Sequence, residues 1–160
     1  MQAFDASSMI YAWDNYPLKQ FPPLWKWMYD QIDAHEFCIT SVALDEVERK
    51  IPECGTWLKD IPIDVIDIDN AILQESLRIK QLLGIQNDEY HANGVGENDI
   101  LIIAAAKIFG HELISNENRQ VNMPQIMAKR KIPATCVLAT VDVHCLNYLD
   151  LIKRSGVIFG

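Results

Sequence analysis

One segment restricts the fold more than any other: residues 100–109 read ILIIAAAKIF and contain a single charged side chain, Lys107. The run is long enough for a helix, and Gly110 is the kind of residue that commonly ends one. A helix that is apolar on all sides has to be buried among other elements rather than lie on a surface. We therefore predict a domain built around this helix, with Asp99 in its first turn.

Short apolar runs bounded by turn residues alternate with segments of helical periodicity along the rest of the chain. The predicted strands cover residues 1–4, 37–40, 112–115, 134–138 and 157–159. Predicted helices begin near Ser7, Pro22, Ser41 (as the cap) and Asp69 (as the cap), a last helix spans residues 141–154, and residues 62–68 are expected to form a connector. This alternation is typical of a three-layer α/β/α fold with a parallel central sheet. Such sheets bind ligands beyond the carboxyl ends of their strands.

The overall charge argues against one large class of function. The chain has 22 acidic and 14 basic residues and a formal net charge of −8. Proteins that hold nucleic acid by bulk electrostatics are normally basic. The acidic balance is compatible with an enzyme that gathers carboxylates around divalent cations and carries a local basic patch. The best such patch is the run Lys129, Arg130 and Lys131.

Length and composition fit one folded domain over residues 1–160. The chain is 49% hydrophobic and 22% charged, as soluble globular domains are. No apolar run approaches the roughly 20 residues of a membrane span, and the first ten residues lack the pattern of a signal peptide. We expect a cytoplasmic protein whose four cysteines, none in a CxxC pair, stay reduced.

Acidic side chains stand where predicted strands end or where the next helices begin. Asp5 and Glu117 follow strands, Glu46 lies one turn into the helix that starts at Ser41, and Asp99 opens the apolar helix. Because the carboxyl ends of parallel strands share one edge of a sheet, these carboxylates can converge on one crevice. Such a cluster is unfavourable unless a cation neutralises it, and hard oxygen ligands select Mg²⁺ or Mn²⁺.

Four motifs carry a resemblance to a known family. They are FDASS at residues 4–8, SVALDE at 41–46, NDILIIAAA at 98–106 and LISNE at 113–117. In this order, and over nearly the whole chain, they resemble the PIN domain. More narrowly, the chain resembles a family of stand-alone PIN-like proteins, which also matches YP…FPPLW at residues 16–25 and KIPATC at 131–136.

The resemblance implies a metal-dependent ribonuclease that cleaves RNA. Carried over by motif, the metal ligands and catalytic residues are Asp5, Glu46, Asp99 and Glu117, and the cofactor is Mg²⁺ or Mn²⁺. The fourth position is usually Asp in the wider family, so Glu117 lengthens that arm by one methylene. Many bacterial PIN domains are toxins of the VapC type, which implies an antitoxin partner and a homodimer.

Two serines and the basic run are candidates for holding the substrate. Ser7 and Ser115 are placed to orient a phosphate or a metal-bound water, and Ser115 matches the Ser or Thr that is usual in the family. Lys129, Arg130 and Lys131 either contact RNA phosphates or form a solvated loop, and both interpretations stay open.

Each acidic residue also has an ordinary structural role open to it. Asp5 can cap a helix, Glu46 can pair with Lys50 one turn on, and Asp99 is favoured by the helix dipole. A phosphatase of the haloacid-dehalogenase type also begins with an Asp after a strand, but it needs a second Asp where this chain has Ser7. The alternative that stays open is a non-catalytic PIN-like scaffold that binds RNA or a partner protein.

Overall fold

The computed structural model describes residues 1–160 and contains one sheet with helices packed on it. The strands are β1 (Gln2–Phe4), β2 (Phe37–Thr40), β3 (Asp64–Ile66), β4 (Glu112–Ile114) and β5 (Cys145–Leu146). The helices are α1 (Ala6–Asn15), α2 (Pro22–Asp33), α3 (Ser41–Lys50), α4 (Pro52–Asp60), α5 (Asn70–Leu82), α6 (Glu97–Phe109), α7 (Ile132–Cys136) and α8 (Tyr148–Ser155). A 3₁₀ turn, Met127–Lys129, lies ahead of α7. None of the helices has both the length and the apolar character needed to cross a membrane.

All five strands run parallel, in the order β3-β2-β1-β4-β5. The predicted α/β architecture with a parallel sheet is therefore confirmed. The central strand is β1, where Phe4 pairs with Ile39 of β2 on one side and with Ile114 of β4 on the other. Strands β2 and β3 follow one another on one side of β1, whereas β4 and β5 lie on its other side, so the order of the strands reverses at β1. Such a reversal leaves a crevice at the carboxyl ends of β1 and β4, where α/β proteins bind ligands.

The core lies between the central strands and α6. All four residues of β2 are buried, which requires helices on both faces of the sheet. In α6, Ile102, Ile103 and the three alanines that follow them are buried, so the apolar helix is central as predicted. Gly110 ends that helix in the left-handed region, with φ of 65°.

The last third of the chain differs from the sequence prediction. Residues 134–138, predicted as a strand, lie in α7 and just after it, because Pro133 in the first turn favours a helix start. The fifth strand is the two-residue β5, which falls inside the segment 141–154 that was predicted to be helical. The helix itself begins at Tyr148, and residues 157–159 form no strand.

Two further differences concern the edge of the sheet beyond β2. Residues 62–68, expected to form a connector, contain the edge strand β3. A helix that the sequence analysis did not predict, α4, begins at Pro52 directly after α3. Gly55 allows the two helices to pack closely, because a Cβ at this position would lie 2.7 Å from Cα of Glu48.

Candidate active site

The four predicted carboxylates come from four different elements around the carboxyl end of the sheet. Asp5 follows β1, Glu117 follows β4, Glu46 lies in the helix after β2, and Asp99 lies in the first turn of α6. The crevice at the β1–β4 reversal therefore has acidic residues on several sides. Their individual contacts show what each of them does in the folded chain.

Asp5 is buried, 2% exposed, and is held by serine residues. Its Oδ1 accepts the backbone N–H of Ser8 at 2.8 Å, so Asp5 is the N-cap of α1. The Ser7 hydroxyl lies 2.8 and 2.9 Å from the two carboxylate oxygens, and the Ser115 hydroxyl donates to Oδ2 at 2.7 Å. Burial raises the pKa of Asp5, and these hydrogen bonds oppose the rise. Ser7 and Ser115, predicted to orient a phosphate or a water, here fix the orientation of Asp5.

Asp99 is half-buried in the first turn of α6, and its Oδ2 accepts the N–H of Gly96 at 2.8 Å. Burial raises the pKa of Asp99 to about 6. The negative charges of Glu117 and Glu46 add to that rise, whereas the Gly96 hydrogen bond and the positive charge of Lys131 oppose it. Asp99 therefore lies in the field of two other predicted site carboxylates and of one predicted basic residue.

Glu46 lies in α3, whose cap is Thr40 rather than the predicted Ser41: the Thr40 hydroxyl oxygen accepts a backbone N–H of the first turn at 3.2 Å. Nζ of Lys50 lies 2.5 Å from Oε1 of Glu46, which confirms the ion pair that was one interpretation of this residue. A cleft of about 300 Å³, lined by no hydrophobic residue, joins Glu46 to Asp99. Glu46 thus combines a surface ion pair with a position beside the crevice.

Glu117 connects the end of β4 to the start of α7. Its Oε2 accepts the N–H of Ile132 at 3.0 Å, and its own N–H donates to the Ser115 hydroxyl at 3.3 Å. Burial raises the pKa of Glu117, and the charges of Asp5 and Glu46 add to the rise against the Ile132 hydrogen bond. The side chain of Glu117, one methylene longer than the usual Asp, therefore accepts a structural hydrogen bond from the backbone of Ile132.

The basic run is not a single patch of equivalent side chains. Lys131 is the member whose positive charge lowers the pKa of both Asp99 and Glu117. Arg130 instead donates from Nη1 to a backbone carbonyl of α7 at 3.1 Å. Lys129 lies in the 3₁₀ turn, and all three residues are half-buried. The charge of Lys131 is thus felt by Asp99 and Glu117, whereas Arg130 contacts α7.

The chemistry of the donor set suits a hard divalent cation, because every candidate ligand atom is a carboxylate oxygen. Asp99 and Glu117 each use one oxygen for a backbone N–H, whereas both oxygens of Asp5 contact serine hydroxyls. The structure contains no group of three or more His, Cys, Asp or Glu side chains arranged to hold a metal ion. A cation would therefore have to draw these side chains together from the positions described.

Two residues that the sequence analysis missed shape the site. The side-chain amide of Gln120 bonds to backbone groups on either side of Arg130. A Cβ on Gly94 would lie 1.8 Å from the carbonyl oxygen of Ala128, so the loop before α6 packs directly on the 3₁₀ turn. A single glutamine in a polar loop gives no sequence signal. The glycines at positions 94 and 96 are the sequence signal that could have indicated a close backbone approach.

Several solved structures share the fold. VapBC2 from Rickettsia felis, bound to a DNA fragment of its promoter, is 17% identical with a TM-score of 0.55, and the match covers 92% of this chain and 98% of that one. PAE2754 from Pyrobaculum aerophilum is 15% identical with a TM-score of 0.54, over 97% and 96% of the two chains. FitAcB from Neisseria gonorrhoeae is 13% identical with a TM-score of 0.53, over 92% and 97%. These similarities confirm the PIN fold that the sequence motifs resemble.

At the level of sequence, no curated protein is detectably similar to the chain. A family model described as a domain of unknown function, DUF4411, matches residues 3–159. The match includes every site residue predicted above. The chain therefore belongs to the DUF4411 family, and it has the fold of a PIN domain.

Proposed function

We propose that the protein is a ribonuclease that hydrolyses RNA phosphodiester bonds with the help of Mg²⁺ or Mn²⁺. The observation that carries the proposal is the mutual electrostatic influence of acidic residues at the sheet reversal. The charges of Glu117 and Glu46 add to the burial that raises the pKa of Asp99 to about 6. Carboxylates whose charges raise the pKa of a neighbouring acid are typical of a functional site, and a bound cation relieves their repulsion.

The residues take distinct roles in this proposal. Asp5 and Asp99 would hold the cation, and Glu46 and Glu117 would join them directly or through water. A divalent cation in such a site supplies an acidified water and neutralises charge on the phosphate. Ser7 and Ser115 orient the Asp5 carboxylate through their hydroxyls.

The proposal extends to biological context. The resemblance of the sequence motifs to VapC-type toxins, together with the likeness of the fold to VapBC2, supports a toxin role for this chain with an antitoxin protein as its partner. A homodimer and a cytoplasmic location belong to the same proposal. Expression of the chain alone in a bacterial host is then expected to arrest growth, and Asp99→Asn is expected to abolish the arrest.

The direct test is cleavage of single-stranded RNA by the purified protein in Mg²⁺ or Mn²⁺. We expect cleavage to stop when EDTA is added and to be lost in Asp99→Asn. The matched control is Glu53→Gln, because Glu53 is an exposed acid in the first turn of another helix, α4. Cleavage that persists in EDTA or in Asp99→Asn would contradict the proposal.

A second function has specific support: a non-catalytic scaffold that binds RNA or a partner protein. Each predicted ligand already has a partner within the chain: Asp5 with its serines, Asp99 with Gly96, Glu46 with Lys50, and Glu117 with a backbone N–H. A partner of this kind gives each acid a structural contact that needs no cation. Binding of single-stranded RNA without cleavage at any Mg²⁺ or Mn²⁺ concentration would favour the scaffold.

A further inference from the structure

The backbone of Lys131 is fixed by residues from other parts of the chain. Its N–H donates to Oε1 of Gln120 at 2.8 Å, and its carbonyl accepts from both the N–H and the hydroxyl of Thr135 at 2.9 and 3.0 Å. The N–H of the next residue, Ile132, donates to Glu117. Each of these backbone groups has a partner, so the Cα of Lys131 has a defined position.

Gln120 uses both ends of its side-chain amide in this arrangement. Nε2 donates to the carbonyl oxygen of Lys129 at 3.0 Å, while Oε1 accepts from Lys131. The amide therefore spans Arg130, whose own carbonyl accepts the N–H of Val95 at 2.9 Å. The loop after β4, the basic run and the loop before α6 are joined at this point.

We infer that Gln120 is a positioning residue, which sets the place of Lys131 beside the carboxylates and thereby strengthens binding of an RNA phosphate. The inference rests on the proposed function and identifies the residue that prepares its substrate contact. A lysine ammonium on its four-carbon stem is mobile. A fixed backbone restricts the volume it reaches, so less entropy is lost when it meets a phosphate.

The test compares four variants by the binding of a labelled single-stranded RNA in EDTA across a range of salt concentrations. Gln120→Met keeps the side-chain length and removes both hydrogen bonds. Gln125→Met is the matched control, because Gln125 is an exposed glutamine of the same loop. Lys131→Ala removes the cation, and the double variant combines Gln120→Met with Lys131→Ala.

We expect Lys131→Ala to weaken RNA binding roughly three- to tenfold and to reduce the slope of log affinity against log salt by about 0.7, the value of one phosphate contact on a single strand. Gln120→Met is expected to change both quantities in the same direction, and Gln125→Met to change neither. The double variant is expected to equal Lys131→Ala alone, because no cation is then left to position. An unchanged slope in Gln120→Met, or additive losses in the double variant, would overturn the inference.

Hydrogen exchange of the Lys131 amide gives a readout that needs no RNA. The amide is expected to be protected in the wild type and in Gln125→Met, and to exchange faster in Gln120→Met. A wild type that protects this amide but neither binds nor cleaves RNA in Mg²⁺ or Mn²⁺ refutes the proposed function, whereas one that binds RNA with an unprotected amide overturns the inference. If Gln120→Met does not fold, Gln120→Ala replaces it, since it also removes both hydrogen bonds and adds no charge. A Gln120→Ala slope equal to that of the wild type would then overturn the inference.

Discussion

The hydroxyl of Ser115 donates a 2.7 Å hydrogen bond to Oδ2 of Asp5, and so joins the ends of the neighbouring strands β4 and β1. Ser7 completes the arrangement, because its hydroxyl contacts the same carboxylate and accepts the N–H of Asn116 at 2.9 Å. The two strand ends that form the crevice are thus linked through one buried acid. Its orientation is set before any ligand arrives.

Ser115→Ala is expected to lower the free energy of unfolding by about 1–3 kcal/mol, because a buried carboxylate oxygen loses a donor. Chemical denaturation at pH 7 measures the change. The control is Ser155→Ala at the exposed end of α8, which should stay within about 0.5 kcal/mol of the wild type. A Ser115→Ala cost as small as that of the control would show that the contact has no weight in folding.

A second prediction concerns the opposite end of the sheet, where Glu112 pairs with both terminal nitrogens of Arg154 at 2.6 and 2.7 Å. The Arg154 hydrogen bonds lower the pKa of Glu112 to about 2, with smaller contributions from Gln2 and His144. A carboxyl whose pKa is lower in the folded state than in the unfolded state stabilises the fold at pH values above its unfolded-state pKa. This stability is lost as the pH falls towards the folded-state pKa.

Glu112→Gln should therefore cost about 1 kcal/mol at pH 7, a figure reduced for the partial exposure of the pair. Urea denaturation between pH 7 and pH 3 should show the difference from the wild type shrinking as the pH falls below about 4.5. Glu89→Gln, in an exposed loop, serves as the control. A cost that does not change with pH would show that the ion pair is not its source.

The central strands and helices could be predicted because short stretches of sequence are enough to indicate them. Phe37–Thr40 is a continuous apolar run, which is what a strand buried on both faces requires. Residues 134–138 are also apolar, yet Pro133 begins a helix there, and the helix start outweighs the strand-like composition. Strand β5 has only two residues, too few to show any periodicity, and its pairing with β4 decides its structure.

The candidate site could likewise be predicted from the sequence only in part. Asp5 and Asp99 stand next to element boundaries that the sequence marks, so their places after β1 and in the first turn of α6 could be predicted. The bond between Gln120 and Lys131 joins two irregular segments, whose path depends on close packing such as that of Gly94 on Ala128. No periodic pattern encodes such a path, and only the folded chain shows it.

Arg130 is expected to contribute to stability rather than to RNA binding, in contrast to Lys131. Its Nη1 donates to the carbonyl of Ala134, whereas its Nε is buried without a hydrogen-bond partner. Arg130→Ala removes the Nη1 hydrogen bond and the packing of the half-buried side-chain stem, and should lower the free energy of unfolding by about 1 kcal/mol. The salt dependence of RNA binding should stay that of the wild type. A reduced salt slope in Arg130→Ala would place its charge at the substrate and contradict the prediction.

Asp99→Asn is expected to stabilise the metal-free protein by about 1 kcal/mol at pH 7.5, a value discounted for solvent screening. The pKa of Asp99 is raised from 3.8 to about 6, so the folded state holds the proton more tightly than the unfolded state. Stability is therefore lost as the pH rises from about 4 to 6. Asn carries no charge and still has an oxygen to accept the Gly96 N–H.

Urea denaturation in EDTA at pH 4.5 and at pH 7.5 checks this prediction. The gain should appear at pH 7.5 and be much smaller at pH 4.5, where more of Asp99 is protonated. Glu53→Gln controls for the loss of a negative charge in the first turn of a helix. If a favourable interaction with the helix dipole were the main effect of Asp99, the variant would instead lose about 0.3–1 kcal/mol at pH 7.5.

The stabilisation by Mn²⁺ tests the same residue, but here Asp99→Asn is expected to gain less stability than the wild type. A cation that binds only the folded state stabilises it by about 2.7 kcal/mol at a hundredfold excess over Kd. For a chain of this length, that corresponds to a rise in melting temperature of roughly 5–10 °C. We expect this rise in the wild type and in Glu53→Gln, and a clearly smaller one in Asp99→Asn, which has lost a ligand charge. Thermal melts with EDTA and with increasing Mn²⁺ measure all three proteins.

Without metal, Asp99→Asn is expected to be more stable than the wild type, and with Mn²⁺ it is expected to gain less stability. A purely structural role of Asp99 would not produce this combination. An equal Mn²⁺ response in the variant and the wild type would place the cation away from Asp99 and contradict the four-carboxylate site.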